Sequence, residues 1–325
     1  MSKAHIWIAS PASARANNGN WQSASRWARF LRRRYRVTIA QQWPGEDGAA
    51  EAPPDLLIAL HARRSAPSLD AWTHSHPERP SLLLLTGTDL YRDIQTDASA
   101  QRSLQQAGAL VVLQPDGLKV LPPPLHAKTR VIYQSATMLR PASGARRHAD
   151  ICMIGHLREE KDPRTFMRAA ALVQAPAARL IHIGGALEPA LAQAAQDTAA
   201  QHPRYRWLGA MPHAATRQRL KRCRAMVLAS HMEGGANVII EAACAGVPVL
   251  ASDIGGNRGM LGDDYAGYFP PGDAAVLAQL IDRIINDQQF HALLRAQCDA
   301  RAPLFAPAAE QAALLELVDN LLNKA

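Results

Sequence analysis

The strongest constraint on this chain is an alternation of short apolar runs with longer helical stretches, which begins twice. The first series opens with a strand at His5–Ala9, a polar loop over 11–20, a helix over 21–34 and a second strand at Arg36–Ala40. Further strands are expected at 55–60, 81–86, 109–113 and 130–133. Runs such as LLIAL and LLLL are apolar at every position, as strands covered on both faces must be. A Pro/Ser/Gly/Arg stretch over 141–148 interrupts the pattern. The alternation then restarts, with strands at 150–154, 179–183, 205–208, Ala225–Leu228 and 247–251 and helices at 163–174, 188–202, 214–222 and 236–245. The expectation is an α/β protein with two Rossmann-like, doubly wound parallel sheets and a cleft between them. Its domains would cover 1–145 and 146–302, with a terminal segment, 303–325, whose helix over 307–323 packs back on the first domain.

A length of 325 residues agrees with two cores, and a 48% hydrophobic, 20% charged composition is that of a folded chain. No apolar run approaches the roughly 18 residues that span a bilayer, and the first ten residues lack a signal peptide's apolar core, so stable membrane insertion is not expected and the cytoplasm is. The four cysteines, Cys152, Cys223, Cys244 and Cys298, are scattered without metal-ligand spacing and are expected to be reduced packing residues. A net charge of +8 calls for an anionic partner without choosing among nucleic acid, acidic membrane and phosphorylated metabolite. Its densest run, Arg26, Arg29, Arg32, Arg33, Arg34 and Arg36, is expected to form a solvated basic face on a helix that buries Trp27, Phe30 and Leu31.

The most informative stretch is 230–252, SHMEGGANVIIEAACAGVPVLAS, which leaves a strand, turns through Gly234 and Gly235 and enters a helix. Free N–H groups at a helix start suit a phosphate or a sugar hydroxyl. Glu233 lies in the turn. Glu241 follows among Val238, Ile239, Ile240, Ala242 and Ala243, where it is either a ribose acceptor or a helix-surface glutamate.

This block resembles the signature of the retaining GT-B glycosyltransferases of glycosyltransferase family 4, two glutamates with seven residues between them followed by EAxxxGxPVxAS. The resemblance implies that Glu233 contacts the transferred sugar, that Glu241 binds the nucleotide ribose, and that the backbone at Gly234, Gly235, Ala236 and Asn237 holds sugar hydroxyls and the diphosphate. A second block, IGHLREEKDP over 154–163, resembles the family's GRLxxxKG segment, in which an arginine and a lysine grip the diphosphate. Lys161 matches the lysine. The arginine's position holds His156, so the second cation is His156 or, as favoured here, the nearby Arg158; a salt-bridged helix entry is the structural alternative for the Arg158–Lys161 stretch.

In the first half, NNGNW over 17–21 stands where the family has a glycine-rich loop, and Asn18 and Gly19 become candidates for the acceptor and the donor respectively, with a plain turn as the rival. HARRS over 61–65 follows a strand end, which puts His61, Arg63 and Arg64 where open α/β sheets bind ligands. Thr86 to Arg92, TGTDLYR, ends the next strand and adds Thr88 and Asp89 as polar candidates, with helix capping as the rival role. No GxGxxG, DxD or HExxH occurs, so neither a cofactor nor a metal is expected.

Taken together, NNGNW, ALHARRS, LLTGTDLYRD, IGHLREEKDP and the 230–252 block are similar to a small subfamily, the selenosugar synthases of selenoneine biosynthesis. That similarity implies a UDP-hexose donor, UDP-N-acetylglucosamine or UDP-glucose, and selenophosphate as the attacking acceptor, with His61, Lys161 and Glu233 as the groups around the reaction. Three other readings stay open: a family enzyme with an alcohol acceptor, a nucleotide-sugar epimerase and a non-catalytic UDP-sugar sensor. Nucleic acid is not expected as a partner, and the oligomeric state is left open.

Overall fold

A computed structural model describes residues 3–12, 19–45, 52–140, 142 and 147–323. They form two units, 1–134 together with 307–325, and 135–306. The division falls ahead of the 141–148 stretch because the preceding residues are bonded into the second unit. Ala136 N–H donates to the Phe305 carbonyl at 3.2 Å, Leu139 N–H to that of Cys244 at 2.8 Å, and Arg217 to Thr137 Oγ1 at 2.9 Å.

In the first unit the strands are β1 (His5–Ala9), β2 (Arg36–Ala40), β3 (Leu56–Leu60), β4 (Ser81–Leu84), β5 (Ala109–Val112) and β6 (Thr129–Val131). They form one parallel sheet in the order β2-β1-β3-β4-β5-β6. The helices between them are α1 (Gly19–Leu31), α2 (Ala66–Ser75), α3 (Ile94–Thr96), α4 (Ala98–Gln106) and α5 (Asp116–Val120). Every residue of β3, β4 and β5 is buried, which is what their unbroken apolar runs require.

The last helix, α13 (Pro307–Leu322), packs on α1 in this unit. Leu314 and Val318 join Ile6, Ile8, Trp27 and Leu60 in one apolar cluster. Glu310, almost fully buried, accepts from Trp27 Nε1 at 2.8 Å and from Arg26 Nε at 2.9 Å. Arg34 Nη1 bonds Asp319 at 2.8 Å, and the Tyr35 hydroxyl bonds the same carboxylate. Arg36 reaches His5 Nδ1 at 2.7 Å. The expected solvated arginine face is corrected at Arg26, which is held against the buried Glu310; Arg29, Arg32, Arg33, Arg34 and Arg36 are exposed, the last two while bonding Asp319 and His5.

The second unit holds β7 (Ala149–Ile154), β8 (Ala178–Ile183), β9 (Tyr205–Trp207), β10 (Ala225–Leu228), β11 (Val249–Ser252) and β12 (Tyr268–Phe269). Its helices are α6 (Pro163–Leu172), α7 (Pro189–Gln201), α8 (His213–Leu220), α9 (Asn237–Ala243), α10 (Gly255–Leu261), α11 (Ala274–Asn286) and α12 (Gln288–Arg301). The sheet is again parallel, in the order β12-β11-β10-β7-β8-β9. The chain winds outward from β7 to β9, then returns to the other side of β7 to lay down β10. With right-handed crossovers on both sides, the connections that leave the carboxyl ends of β7 and β10 turn to opposite faces of the sheet, which makes this the topological switch point at which open α/β sheets bind ligands. In the first unit the same reversal falls between β1 and β3. All four cysteines are free and buried, and among the described residues no helix is long and apolar enough to cross a membrane.

Candidate functional site

Two adjacent strand ends bring the key charges of the second unit together. After β7 the chain passes through a short helical turn, Glu159–Lys161, and Asp162 at φ 42° before Pro163 opens α6. After β10 it runs through Ser230 and Glu233 into α9. Because β7 and β10 are neighbours at the switch point, Lys161 Nζ reaches across to bond Glu233 Oε1. Ser230 Oγ donates to that same oxygen at 2.6 Å.

Glu233, 8% exposed, is fixed from below by a buried chain of bonds. Asn257 Nδ2 on α10 donates to the Ser252 carbonyl at 2.9 Å, and Ser252 Oγ to the Ser230 carbonyl at 2.6 Å. The backbone of α10 presses close as well: a Cβ at Gly256 would stand 2.0 Å from the Glu233 carbonyl oxygen. Asn257 and Gly256 were not singled out from the sequence, where a GGN string looks like any turn.

Gly234, Gly235 and Ala236 are buried, and α9 begins at Asn237 without a side-chain cap. Its seven residues are fewer than the 236–245 expected, since Cys244 closes it and Val247 N–H turns back to Ala242. Glu241 sits on α9, with its side chain 12% exposed. Its Oε1 accepts from Nε2 of His213, the first residue of α8, at 2.6 Å. That bond raises the histidine's pKa, against the effects of partial burial and of Arg217 one turn along. Sequence alone carried no signal for His213, which lies 28 positions from its partner.

Of the two candidates for the second cation, His156 is exposed and its Nδ1 accepts from the Gly185 N–H at 3.1 Å, so its proton resides on Nε2. Arg158 is partly exposed and only loosely paired, with Nε 4.0 Å from Glu160 and, among the described residues, without a hydrogen-bond partner for that nitrogen.

In the first unit His61 closes β3 with φ at 74°, a left-handed conformation unusual for a side-chain-bearing residue. It is 2% exposed. Its Nδ1 accepts from the Arg64 N–H at 3.4 Å, so Nε2 carries the proton that bonds Thr88 Oγ1 at 3.2 Å. Burial lowers its pKa, and Arg64 and Arg63 add to the effect while Asp89 and Asp93 oppose it. Asp89, fully buried, clamps the two strand-end loops by accepting from Ala62 N–H (2.9 Å), Thr86 N–H (2.9 Å) and Gly87 N–H (2.8 Å).

Arg63 Nε lies 3.0 Å from Asp93, a residue that sequence reasoning passed over. Arg64 is exposed, and among the described residues its guanidinium has no ion pair. Gly19 is the first residue of α1 and faces open space. Asn18 lies outside the described residues. Among the described residues no cluster of His, Cys, Asp and Glu could hold a metal ion.

With two doubly wound parallel sheets and a lysine–glutamate pair at a switch point, the molecule has the GT-B architecture of a glycosyltransferase. Residues 139–304 match the family of glycosyl transferases group 1, just over half of the chain and nearly all of the second unit, and the chain belongs to that family. It is similar in fold to HepE of Anabaena in complex with UDP and glucose, at 17% identity over 98% of this chain and 100% of that one, with a TM-score of 0.78. Sucrose-phosphate synthase from Thermosynechococcus elongatus superposes at 0.79, with 17% identity over 99% of this chain and 100% of that one. The lipopolysaccharide outer core galactosyltransferase WaaB does so at 0.72, with 14% identity over 98% and 99%. At such identities the likeness speaks for the fold. No curated protein sequence matches the chain.

Proposed function

We propose that this glycosyltransferase moves a hexose from a UDP-sugar, UDP-N-acetylglucosamine or UDP-glucose, to selenophosphate with retention and without a metal, joining selenium to the anomeric carbon. The observation that carries the donor half is the seating of Lys161 on Glu233 at the β7–β10 switch point. A lysine there meets the diphosphate as negative charge builds on the departing UDP, where a preplaced cation lowers the barrier most. Glu233 Oε2 takes a sugar hydroxyl and acts as a positioning group, not as a base. Glu241 accepts the ribose hydroxyls, and Arg158 is the second cation on the diphosphate. The similarity of HepE, solved with UDP and with UDP-glucose, supports a UDP-sugar donor.

The acceptor half rests on the resemblance to selenosugar synthases and on the cationic end of β3. There Arg64 is the exposed guanidinium available to an anion, with Thr88 and His61 behind it. One observation favours a second reading: Asp93, shared with Arg92, partly offsets the charge of Arg63, and burial lowers the pKa of His61, so this wall is less cationic than its sequence suggests. An alcohol acceptor suits such a wall better.

Incubation with each UDP-sugar, with and without selenophosphate and with EDTA throughout, separates these. The expected result is UDP release that depends on selenophosphate, with a selenosugar identified by mass spectrometry. UDP release driven by an alcohol but not by selenophosphate would transfer the assignment to the second reading.

A further inference from the structure

Glu241 and His213 come from different helices, and nothing in their local sequence requires them to meet. Glu241 faces little water, yet among the described residues only one of its oxygens is taken, by His213 Nε2 at 2.6 Å. The histidine, whose side chain is 53% exposed, follows a loop tied down at several points. Gly209 holds φ 67°, a conformation that favours glycine, and its carbonyl accepts from the Gly184 N–H at 2.9 Å, tying the loop to the end of β8. Trp207 Nε1 donates to the Gly184 carbonyl at 2.8 Å, and Pro212 sets the entry into α8. Further along α8, Arg217 is anchored by Thr137, so the helix cannot roll freely about its axis.

A carboxylate with two equivalent oxygens and several rotamers binds a diol well only when it is held still. We propose that His213 is a positioning residue of the donor site: it locks Glu241 in one rotamer through Oε1 and leaves Oε2 directed at the ribose of the nucleotide. This rests on the reading of Glu241 as the ribose acceptor. His213 does not touch the reacting atoms. It affects how tightly donor is held and leaves the chemical step alone.

The test measures UDP affinity by calorimetry, together with donor KM, acceptor KM and kcat, for H213A, H213Q, E241Q and the H213A/E241Q double variant. H213A is expected to weaken UDP and raise donor KM about tenfold, the size of one charge-assisted hydrogen bond. Its kcat and acceptor KM should stay near wild type. H213Q, whose amide can donate from about the same place as Nε2, should recover most of the loss. In the E241Q background, removal of His213 should cost nothing further, because the group it positions is already impaired. If E241Q weakens UDP and H213A does not, the positioning role is wrong while the donor reading stands. If E241Q leaves UDP affinity unchanged, the Glu241 reading itself falls and this inference with it. Should H213A fail to fold, H213E carries the test: like charges must push Glu241 out of place, and an undiminished UDP affinity overturns the proposal.

Discussion

A Cβ on Gly256 would stand 2.0 Å from the carbonyl oxygen of Glu233, so the α10 backbone serves as the floor under the Glu233 loop. Neither side of that contact can yield by turning a side chain, since both are backbone. Gly256→Ala must displace the loop, and overpacking of this kind costs roughly 1–3 kcal/mol. Glu233 would then leave its place between Lys161 and Ser230. The expected result is a folded protein with a lowered Tm and a kcat/KM reduced more than tenfold; wild-type kinetics would mean that Glu233 is seated by other contacts.

Lys161→Met removes the cation from Glu233 and from any diphosphate bound beside it. Loss of one such preplaced charge is expected to lower kcat by about a hundredfold or more. The lysine is a fifth exposed, so the effect on stability should fall well short of the cost of breaking a fully buried pair. Turnover and thermal melting of one preparation separate the two effects: a large drop in Tm with intact residual turnover would make the pair structural.

Arg64→Ala and Arg63→Ala should behave differently although they are neighbours. Arg64 is exposed with its guanidinium unpaired among the described residues, so its loss is expected to raise the KM for an anionic acceptor about tenfold and to leave Tm and donor KM alone. Arg63 partners Asp93, whose side chain is 5% exposed, and its loss leaves that buried carboxylate to Arg92, 3.2 Å away, and to His61. A lowered Tm is expected there. Equal kinetic effects without change in Tm would contradict this division of roles.

His182 should make the second unit sensitive to acid. Burial on β8 holds its pKa down to about 4, and the ring is bonded as a neutral imidazole, with Nε2 on the Gly155 carbonyl at 3.3 Å and Nδ1 on the Tyr205 hydroxyl at 3.0 Å. The folded value lies below the unfolded one, so between pH 6.5 and about 4 the unfolded chain binds the extra proton. This group's contribution is complete above pH 6.5 and lost as pH falls toward 4, about 3 kcal/mol in all. His182→Gln should be less stable at pH 7 yet lose less between pH 7 and 4. Parallel pH–Tm curves for wild type and variant would refute it.

Glu310→Ala should destabilise the first unit from its far end in sequence. Arg26 and Trp27 Nε1 would lose their shared acceptor inside the α1–α13 contact, where Arg26 Nη2 already lacks a partner among the described residues. A cost of about 3 kcal/mol is expected in chemical denaturation, as for a broken buried pair. An unchanged midpoint would mean that the apolar contacts of Leu314 and Val318 and the bonds to Asp319 hold α13 without it.

Much of this protein can be read locally. The unbroken apolar runs announce buried parallel strands, because only a strand covered on both faces can be apolar at every position, and 141–148 marks the region in which the alternation restarts. Element ends were less legible. α9 is shorter than its apolar pattern because its last turn is set by bonds from Val247 and Leu139, which the pattern does not contain.

Resemblance to a family signature singled out Glu233, Glu241 and Lys161, but the pairing of Lys161 with Glu233, 72 positions apart, follows from the strand order: β10 returns to the side of β7, and residues remote in the chain face each other across a switch point. The same holds where the sequence misled. Arg63 looked like a free cation and Arg26 a solvated one, until Asp93 and Glu310 arrived from elsewhere in the fold. By itself the sequence determined which segments are buried, because burial follows from side-chain chemistry and period. Only the tertiary structure decided which charges are neutralised, which carboxylates are held still and which cation stays free, because those depend on distances of a few ångströms between atoms that the chain order does not bring together.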